Sequence, residues 1–382
     1  MKKRLFLIFH GRFPSEKAAS LFAAKSAETF GNQGIKTILI VPRRKGIIME
    51  DPHIYYGLNK SFEVVYINTI SVFGIKVLDK LAFSLSYFFF SVGVLFYIKK
   101  NNDVADVIFS NEILPLVLVS YIRPYCFYEM HDFPESKLGL FGWCLKKMKW
   151  ILVHNKWKLS EVQRTFRDIS HDRFLYEPNA VDLNAFNLPI SKEEARKRLL
   201  LPLLKKIIVY TGHLYTWKGV DTLAESARIL PDDFFVIFVG GTKEDVDRFR
   251  EKYGNIPNIS VVGHVYHQEI PLWQKAADVL VLPNTAKEKI SAFYTSPMKL
   301  FEYMASKRPI VATDIPSLRE IVNDENAIIV KPDDPRAMSE GIMRAIQTNI
   351  SKSISDQAFQ YVINHTWDKR AERIIDFYER FL

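Results

Sequence analysis

Residues 206–240 read KIIVYTGHLYTWKGVDTLAESARILPDDFFVIFVG, and this stretch decides the fold. Two apolar runs rich in β-branched and aromatic residues, KIIVYTG and FFVIFVG, flank a segment whose apolar residues have helical spacing. Short apolar runs that end at glycine favour buried strands, and a helix between two such strands makes a crossover unit of a parallel sheet. The sequence therefore predicts an α/β fold here.

The same alternation of strand and helix continues on both sides of this unit. In the second half the predicted strands are KIIVYTG, FFVIFVG, ISVVGHV, DVLVLPN, PIVATD and AIIVKP. In the first half they are RLFLIFH, KTILIVP, VVYINTI, ADVIFS, CFYEMHD and WILVHN, with helical patterns between them, for example at 15–30 and 136–149. This order predicts parallel sheets covered by helices on both faces.

A linker separates the two halves. Residues 177–202, EPNAVDLNAFNLPISKEEARKRLLLP, are rich in proline, asparagine and charge, which predicts a linker and a short helix. We place the boundary near Pro189, so that residues 1–188 and 189–365 form two Rossmann-like domains that face a central cleft. The amphipathic final helix, 366–382, could pack back on the N-terminal domain. Such sheets bind ligands beyond the carboxyl ends of their strands.

Composition excludes several classes of protein. The chain has 382 residues, of which 48% are hydrophobic and 25% charged, as in soluble globular proteins. Cys126 and Cys144 lie outside any Cys/His cluster, so we expect no metal site and a reducing, cytoplasmic location. Neither G-x-G-x-x-G nor G-x-x-x-x-G-K-[ST] follows a strand, which argues against dinucleotide dehydrogenases and P-loop enzymes.

Positive charge is concentrated in the first half of the chain. The net charge is +9, and residues 1–185 carry +8 of it. A basic surface favours anionic partners such as a phospholipid leaflet, although diffuse solubilising charge fits equally well. The apolar run 81–98 approaches the length of a membrane-spanning helix, but several serines weaken it. We predict a helix that is buried or docked on a bilayer surface.

The segment YTGHLYTWKGVDTLAESARIL, at 210–230, carries the first candidate site. A strand ends at Gly212, and Lys218 and Gly219 open a helix. A lysine there is a point charge suited to a phosphate, and the glycines permit close approach of the backbone. A surface lysine is the alternative, but the helix dipole disfavours a cation at that end.

A second candidate site lies at 291–314, SAFYTSPMKLFEYMASKRPIVATD. Ser296 is a suitable N-cap and Pro297 a suitable first residue for a helix that runs to about Ala305. The free N–H groups of its first turn could cradle a diphosphate. The carboxylate of Glu302 could accept hydrogen bonds from both ribose hydroxyls, and an ordinary exposed glutamate is the alternative.

Two strand ends in the first half add further candidates. His131, in YEMHDFPES, could contact a sugar hydroxyl or the acceptor, although a structural histidine is the commoner outcome. Gly11 and Arg12 lie in the first strand-to-helix loop, HGRFPSEKA, where Arg12 and Lys17 could meet a phosphate. Solvation of a helix start explains these two cations equally well.

In this order, these segments resemble the retaining GT-B glycosyltransferases of family four, also called glycosyltransferase group 1. The resemblance extends from HGRFPSEKA to TWDKRAERIIDFYERF. It is strongest in YTGHLYTWKGVDTLAESA, ADVLVLPN, SPMKLFEYMASKRPIVATDIPSLREIV and EPNAVDLNAF.

The resemblance assigns roles to particular residues. It implies that Lys218 contacts the donor diphosphate, that Glu302 binds the donor ribose and that His131 lies near the reaction centre. Contacts to the diphosphate and sugar are implied for Ser296, Pro297, Met298 and Lys299.

Two positions depart from the family pattern. Where the family has an arginine beside Gly212, this chain has His213, and Tyr294 replaces a glutamate that contacts the transferred sugar. Both remain candidate donor contacts.

The resemblance also implies an activity. We expect transfer of a sugar, with retention of configuration, from a UDP- or GDP-linked donor on the C-terminal domain to a lipid-linked or polysaccharide acceptor on the N-terminal domain. We expect no metal, no further cofactor and no nucleic-acid partner, and a peripheral place at the inner face of the cell membrane. A non-catalytic GT-B protein that binds a sugar nucleotide or glycan is one alternative. A GT-B enzyme of another reaction, such as an epimerase or a phosphorylase, is the other.

Overall fold

The computed structural model describes residues 4–44, 48–69, 79–101 and 106–380. The chain divides into two compact units: unit 1 comprises Met1–Glu177 and Trp367–Leu382, and unit 2 comprises Pro178–Thr366. The chain thus enters unit 2 at Pro178, before the expected boundary near Pro189, and the final helix belongs to unit 1. Some predicted positions, namely 1–3, 70, 105 and 381–382, lie outside the described residues.

Unit 1 contains one parallel sheet. Its strands, within the described ranges, are β1 (Arg4–Ile8), β2 (Lys36–Arg43), β3 (Phe62–Asn68), β4 (Val107–Ser110), β5 (Cys126–Met130), β6 (Trp150–Val153) and β7 (Phe174–Tyr176). They are ordered β3-β2-β1-β4-β5-β6-β7. The helices before unit 2 are α1 (Ala18–Asn32), α2 (Pro52–Tyr56), α3 (Asp79–Lys100), α4 (Ile113–Ser120), α5 (Leu138–Lys147) and α6 (Lys156–Thr165).

Unit 2 repeats this plan with a parallel sheet of six strands. These are β8 (Lys206–Thr211), β9 (Phe234–Val239), β10 (Ile259–Gly263), β11 (Val279–Leu282), β12 (Ile310–Thr313) and β13 (Ile328–Val330), in the order β10-β9-β8-β11-β12-β13. The helices are α7 (Leu183–Phe186), α8 (Lys192–Arg198), α9 (Val220–Ala227), α10 (Lys243–Tyr253), α11 (Ile270–Ala276), α12 (Met298–Ala305), α13 (Pro316–Arg319), α14 (Pro335–Ala345) and α15 (Thr348–Val362). The last helix, α16 (Trp367–Glu379), returns to unit 1.

The strands are apolar on both faces because helices cover both sides of each sheet. Along β8, Ile208 and Tyr210 pack into one hydrophobic cluster, while Ile207 and Val209 pack into another on the opposite face. This continuous apolar pattern is typical of parallel strands. The order of each sheet reverses direction beside its first strand, at β1/β4 and at β8/β11. Open α/β sheets bind ligands at these switch points.

Each predicted strand overlaps an observed one, but three local predictions are wrong. The short strand β7 is missing from the prediction, because three residues are too few to show an alternation. The first helix starts at Ala18 rather than Ser15, because the backbone of Ser15 exchanges hydrogen bonds with the hydroxyl of Tyr56. The helix expected from Lys218 starts at Val220, because 216–218 form a 3₁₀ turn.

Candidate functional site

The loop after β8 brings Lys218 to the carboxyl edge of the unit 2 sheet. Gly219 has φ +73°, a left-handed conformation, and a Cβ there would lie 1.8 Å from the carbonyl oxygen of Pro283. Glycine is therefore required for the chain to turn into α9 beside β11. The Nζ of Lys218 lies 4.0 Å from the ring centroid of Trp217, which holds the side chain by a cation–π contact.

Helix α12 is fastened to the end of the same strand. Lys299 Nζ donates a hydrogen bond to the carbonyl oxygen of Thr211 at 2.8 Å and lies 3.7 Å from the ring centroid of Tyr210. The amide of Thr211 in turn donates to the buried hydroxyl of Tyr303 at 2.9 Å. Gly212, with φ +120°, passes so close that a Cβ would lie 3.3 Å from Lys299 Nζ. These contacts hold the first turn of α12 against the loop that follows β8.

The two lysines share an unusual electrostatic environment. Burial lowers the pKa of Lys218 to about 8. Burial also lowers the pKa of Lys299 well below its ordinary value, and the charge of Lys218 lowers it further. Both lysines would gain charge beside an anion, because an opposite charge nearby favours the charged form. The pair is suited to a diphosphate.

The predicted cap of α12 is wrong. The structure places Pro297 at the N-cap, with extended backbone, so the helix begins one residue later at Met298 and Ser296 makes no capping bond. The Oγ of Ser296 is buried and finds no hydrogen-bond partner among the described residues. Its carbonyl oxygen accepts a hydrogen bond from the side-chain amide of Asn179, which fixes the loop before the helix. Asn179 belongs to the EPNAVD segment and is an additional site residue.

Glu302 is buried on α12, and it is paired with a histidine. The Nε2 of His267 lies 3.0 Å from Oε1 of Glu302. His267 opens a short 3₁₀ turn after β10 and also packs against the ring of Phe186. His267 was not among the residues predicted from the sequence, although its place shortly after a strand was a usable signal. One carboxylate oxygen is therefore oriented by the protein before any ligand binds.

The two residues that depart from the family pattern lie in defined local structure. The Nδ1 of His213 lies 3.5 Å from Oδ2 of Asp245, and its ring is stacked on Tyr215 with a centroid distance of 4.9 Å. Tyr294 ends a single π-helical turn, Ile290–Tyr294. His213 is thus directed to α10, a different environment from that of the two lysines.

In unit 1 the predicted residues follow two separate strands. His131 comes directly after β5, and its side chain is 28% exposed. Gly11 lies against Phe9, whose Cζ would be 2.1 Å from a Cβ at that position. Arg12 is exposed, and Lys17 is the exposed N-cap of α1.

A polar cluster in unit 1 was not predicted. Arg44 Nη2 donates to His10 Nε2 at 2.6 Å, and the amide of His10 donates to Glu112 Oε1 at 3.1 Å. These residues follow β2, β1 and β4. Burial, and then the charge of Arg44, lower the pKa of His10 to about 3, so its ring is a neutral acceptor. The sequence signal was that each residue stands just beyond a predicted strand.

Helix α3 has an apolar outer face. By length and composition, Leu81–Lys100 is the one helix in the described ranges that could cross a membrane, with mean hydropathy 1.9, and 33% of the tested stretch is buried. Phe90, Val94 and Ile98 face the core of unit 1. Its exposed apolar side chains are Leu81, Phe83, Leu85, Phe88, Phe89 and Phe96. A core helix of a soluble protein can have the same length and composition, so these two properties fit a buried helix and a membrane-spanning helix alike.

Comparison with known proteins supports the family resemblance within unit 2. Residues 205–348 match the family model for Glycosyl transferases group 1. The lipopolysaccharide core biosynthesis mannosyltransferase LpsB of Rhizobium meliloti is 30% identical over 173 residues, which cover 42% of this chain and 47% of the relative. The chain spans about half the length of the curated relatives it matches.

Solved structures establish the fold over the whole chain. Sucrose-phosphate synthase from Thermosynechococcus elongatus superimposes with a TM-score of 0.80 at 16% identity, covering 99% of both chains. Anabaena HepE, crystallised with UDP and glucose, superimposes with a TM-score of 0.74 at 16% identity, again over 99% of both chains. The two parallel sheets therefore define the GT-B fold of glycosyltransferases, as the sequence predicted.

Proposed function

We propose that the chain is a retaining glycosyltransferase that moves a sugar from a UDP- or GDP-linked donor to a lipid-linked or polysaccharide acceptor. The observation that carries the proposal is the pairing of Lys218 and Lys299 at the end of β8, beside the helix that presents Glu302. The family match over 205–348 and the GT-B fold support it. Retention rests on the resemblance to family four.

Each donor-site residue has a chemical task in this proposal. The leaving nucleoside diphosphate develops negative charge, and groups fixed in advance stabilise it most effectively. Lys218 supplies that charge, and Lys299 and the start of α12 add to it. Glu302, held by His267, accepts hydrogen bonds from the ribose. His131 acts in unit 1, close to the acceptor.

A nucleotide-sugar panel tests the proposal. Thermal denaturation is measured with UDP-, GDP-, ADP- and CMP-linked sugars, with UMP and free glucose as controls. We expect a UDP- or GDP-linked sugar to raise the melting temperature, since a ligand that binds the folded state stabilises it by mass action. Product NMR with a supplied acceptor then reports the anomeric configuration. Inversion of configuration, binding without turnover, or no stabilisation by any member would each contradict the proposal.

Glu302→Ala should weaken the binding of the free nucleotide. Removing a hydrogen-bonding carboxylate is expected to cost about 1.5–3 kcal/mol. Calorimetry with UDP and GDP measures this directly, without any acceptor. The matched control is Glu340→Ala, which removes an exposed helical glutamate of α14. Equal affinities for the two variants would remove Glu302 from the ribose site.

A lipid-linked acceptor requires access to a membrane surface, and unit 1 offers one. Phe88 and Phe96 are exposed on α3, whose last turn carries Lys99 and Lys100. Aromatic side chains beside lysines are typical of helices that lie in the interface of an anionic bilayer. We therefore propose peripheral binding to the cytoplasmic leaflet.

Vesicle flotation tests this surface. We expect binding to phosphatidylglycerol-containing vesicles at low salt, and its loss at high salt because the charges are then screened. The double variant Phe88→Ser/Phe96→Ser should weaken binding by on the order of tenfold or more, as two buried aromatic side chains are lost. The control, Leu203→Ser/Leu204→Ser, changes exposed leucines of unit 2. Absence of binding at low salt, or equal loss in both variants, would rule the surface out.

A further inference from the structure

The C-terminal helix α16 is joined to unit 1 by two arginine–glutamate pairs. Arg370 pairs with Glu129 of β5, and Arg373 pairs with Glu177, just after β7, at 2.8 and 2.6 Å. Residues three apart share one face of a helix, so both arginines reach the sheet together. The two pairs connect the same helix to the same sheet, but they differ in their surroundings.

The Arg370–Glu129 pair is fully buried and lies next to His131. The side chains of Arg370 and Glu129 are 2% and 3% exposed, against 39% for Arg373. Glu129 Oε2 lies 3.7 Å from Nε2 of His131, and Oε1 lies 3.5 Å from Nε2 of His154. Burial would raise the pKa of the Glu129 carboxyl, but Arg370, with His131, outweighs burial and holds it below the ordinary value. Glu129 is therefore a carboxylate at neutral pH.

Glu129, His131 and His154 have the spacing of metal ligands, but the charges of neighbouring residues oppose the binding of a metal ion. The ligand atoms of Glu129, His131 and His154 lie within 4.8 Å of one another. Arg370 already neutralises the carboxylate, and buried Lys158 donates to the carbonyl oxygens of Met130 at 3.3 Å and His131 at 2.6 Å. A divalent cation would add charge beside two buried cations at high electrostatic cost. The cluster fits a role within the protein better.

The ring of His131 is also confined by its neighbours. Phe22 meets it edge to face with a centroid distance of 5.0 Å, and His154 does so at 4.6 Å. Burial lowers the pKa of His154 well below its ordinary value, and the charges of Lys158 and Arg370 lower it further, so this neighbour is neutral. Nε2 of His131 is buried and makes no hydrogen bond among the described residues, so the carboxylate oxygen of Glu129, 3.7 Å away, acts on it through charge in a site withdrawn from solvent.

We infer that Glu129, held in place by Arg370 of the C-terminal helix, is a positioning residue for His131. A carboxylate beside Nε2 favours the tautomer with its proton on Nε2, which leaves Nδ1 as the acceptor. An imidazole fixed in this way can receive a hydroxyl proton or orient a sugar hydroxyl without first selecting a tautomer. The role of His131 rests on the proposed function, whereas the orientation of its ring does not.

Two double variants test the inference. Glu129→Gln/Arg370→Met removes both charges at similar volume, a replacement that buried ion pairs often tolerate. Glu177→Gln/Arg373→Met does the same to the second pair, which joins α16 to the residue after β7 rather than to β5, and it serves as the matched control. Histidine-selective ¹⁵N NMR reports the tautomer of His131, assigned by its loss in His131→Gln. Steady-state kinetics separates kcat from donor KM.

We expect the first variant to lose the Nε2–H tautomer and to lower kcat by about tenfold or more, the lower range for proton-transfer groups, with donor KM changed little. The control should resemble the wild type in both measurements. An unchanged tautomer in the first variant, or equal losses in both variants, would overturn the inference. If the first variant fails to fold, Glu129→Asp keeps the charge but draws it away from His131, and an unchanged tautomer there would equally overturn it. If the wild type transfers no sugar but its His131 has an Nε2–H tautomer that depends on Glu129, the proposed function is refuted and the positioning role of Glu129 remains.

Discussion

Lys218→Ala should lower kcat by on the order of 10²-fold or more while raising donor KM much less, as for the loss of one group that stabilises developing negative charge. The reason is that Lys218 acts on the leaving diphosphate, whose charge grows in the transition state. Lys299 cannot substitute fully, because burial, the larger cause of its lowered pKa, remains when the charge of Lys218 is removed. Steady-state kinetics with the donor identified by the panel measures the effect.

The pH dependence gives this prediction a second test. Burial lowers the pKa of Lys218 to about 8, so the free enzyme loses this charge as the pH rises through that value. We expect kcat/KM to fall above about pH 8, because kcat/KM reports the groups of the free enzyme. Lys218→Arg should recover part of kcat and move this alkaline limb to higher pH, since a guanidinium stays protonated.

The matched control for Lys218 is Lys243→Ala. Lys243 opens α10 after the neighbouring strand β9, so it occupies an equivalent place in the next strand–helix unit, but it is exposed. It should keep near-full kcat. Near-full kcat in Lys218→Ala as well would mean that the leaving charge is stabilised elsewhere, with Lys299 and Arg12 as the next candidates.

The sequence predicted what is encoded locally. Each strand of unit 2 was visible as a short apolar run, because a strand buried on both faces must be apolar at consecutive positions. The place of Lys218 followed from a glycine-bounded turn between a strand and a helix. Both inferences need information from only a few neighbouring residues.

Pairings between distant residues could not be predicted in this way. His267 and Glu302 are 35 residues apart, and Glu129 and Arg370 are 241 apart. The residues around each of these four positions do not identify its partner. The order of the strands and the return of α16 to unit 1 determine which side chains come into contact. The error at Ser296 has a different origin. Either residue of the Ser296–Pro297 pair could occupy the N-cap position of α12, and the structure places the proline there.

Arg370→Met should be the most destabilising of these substitutions, by about 3–5 kcal/mol, because it leaves a buried carboxylate without its partner. In a unit of this size that loss lowers the melting temperature by on the order of 10 °C. The double variant Glu129→Gln/Arg370→Met should recover most of the loss, since it leaves no unpaired charge. Arg373→Met removes the half-exposed pair and should cost much less.

The loss in Arg370→Met should also depend on pH, with a sign fixed by Glu129. Because the pKa of this carboxyl is depressed in the folded protein, the pair contributes fully above the ordinary glutamate pKa of about 4.3. That contribution declines as the pH falls through the depressed value. In the variant, burial without Arg370 favours the protonated acid, so acid relieves its unpaired charge. Urea unfolding at neutral pH and near pH 4 should therefore show the gap between wild type and variant narrowing in acid. A gap that is constant with pH would mean that packing of the arginine stem, and not its charge, holds α16 to the sheet.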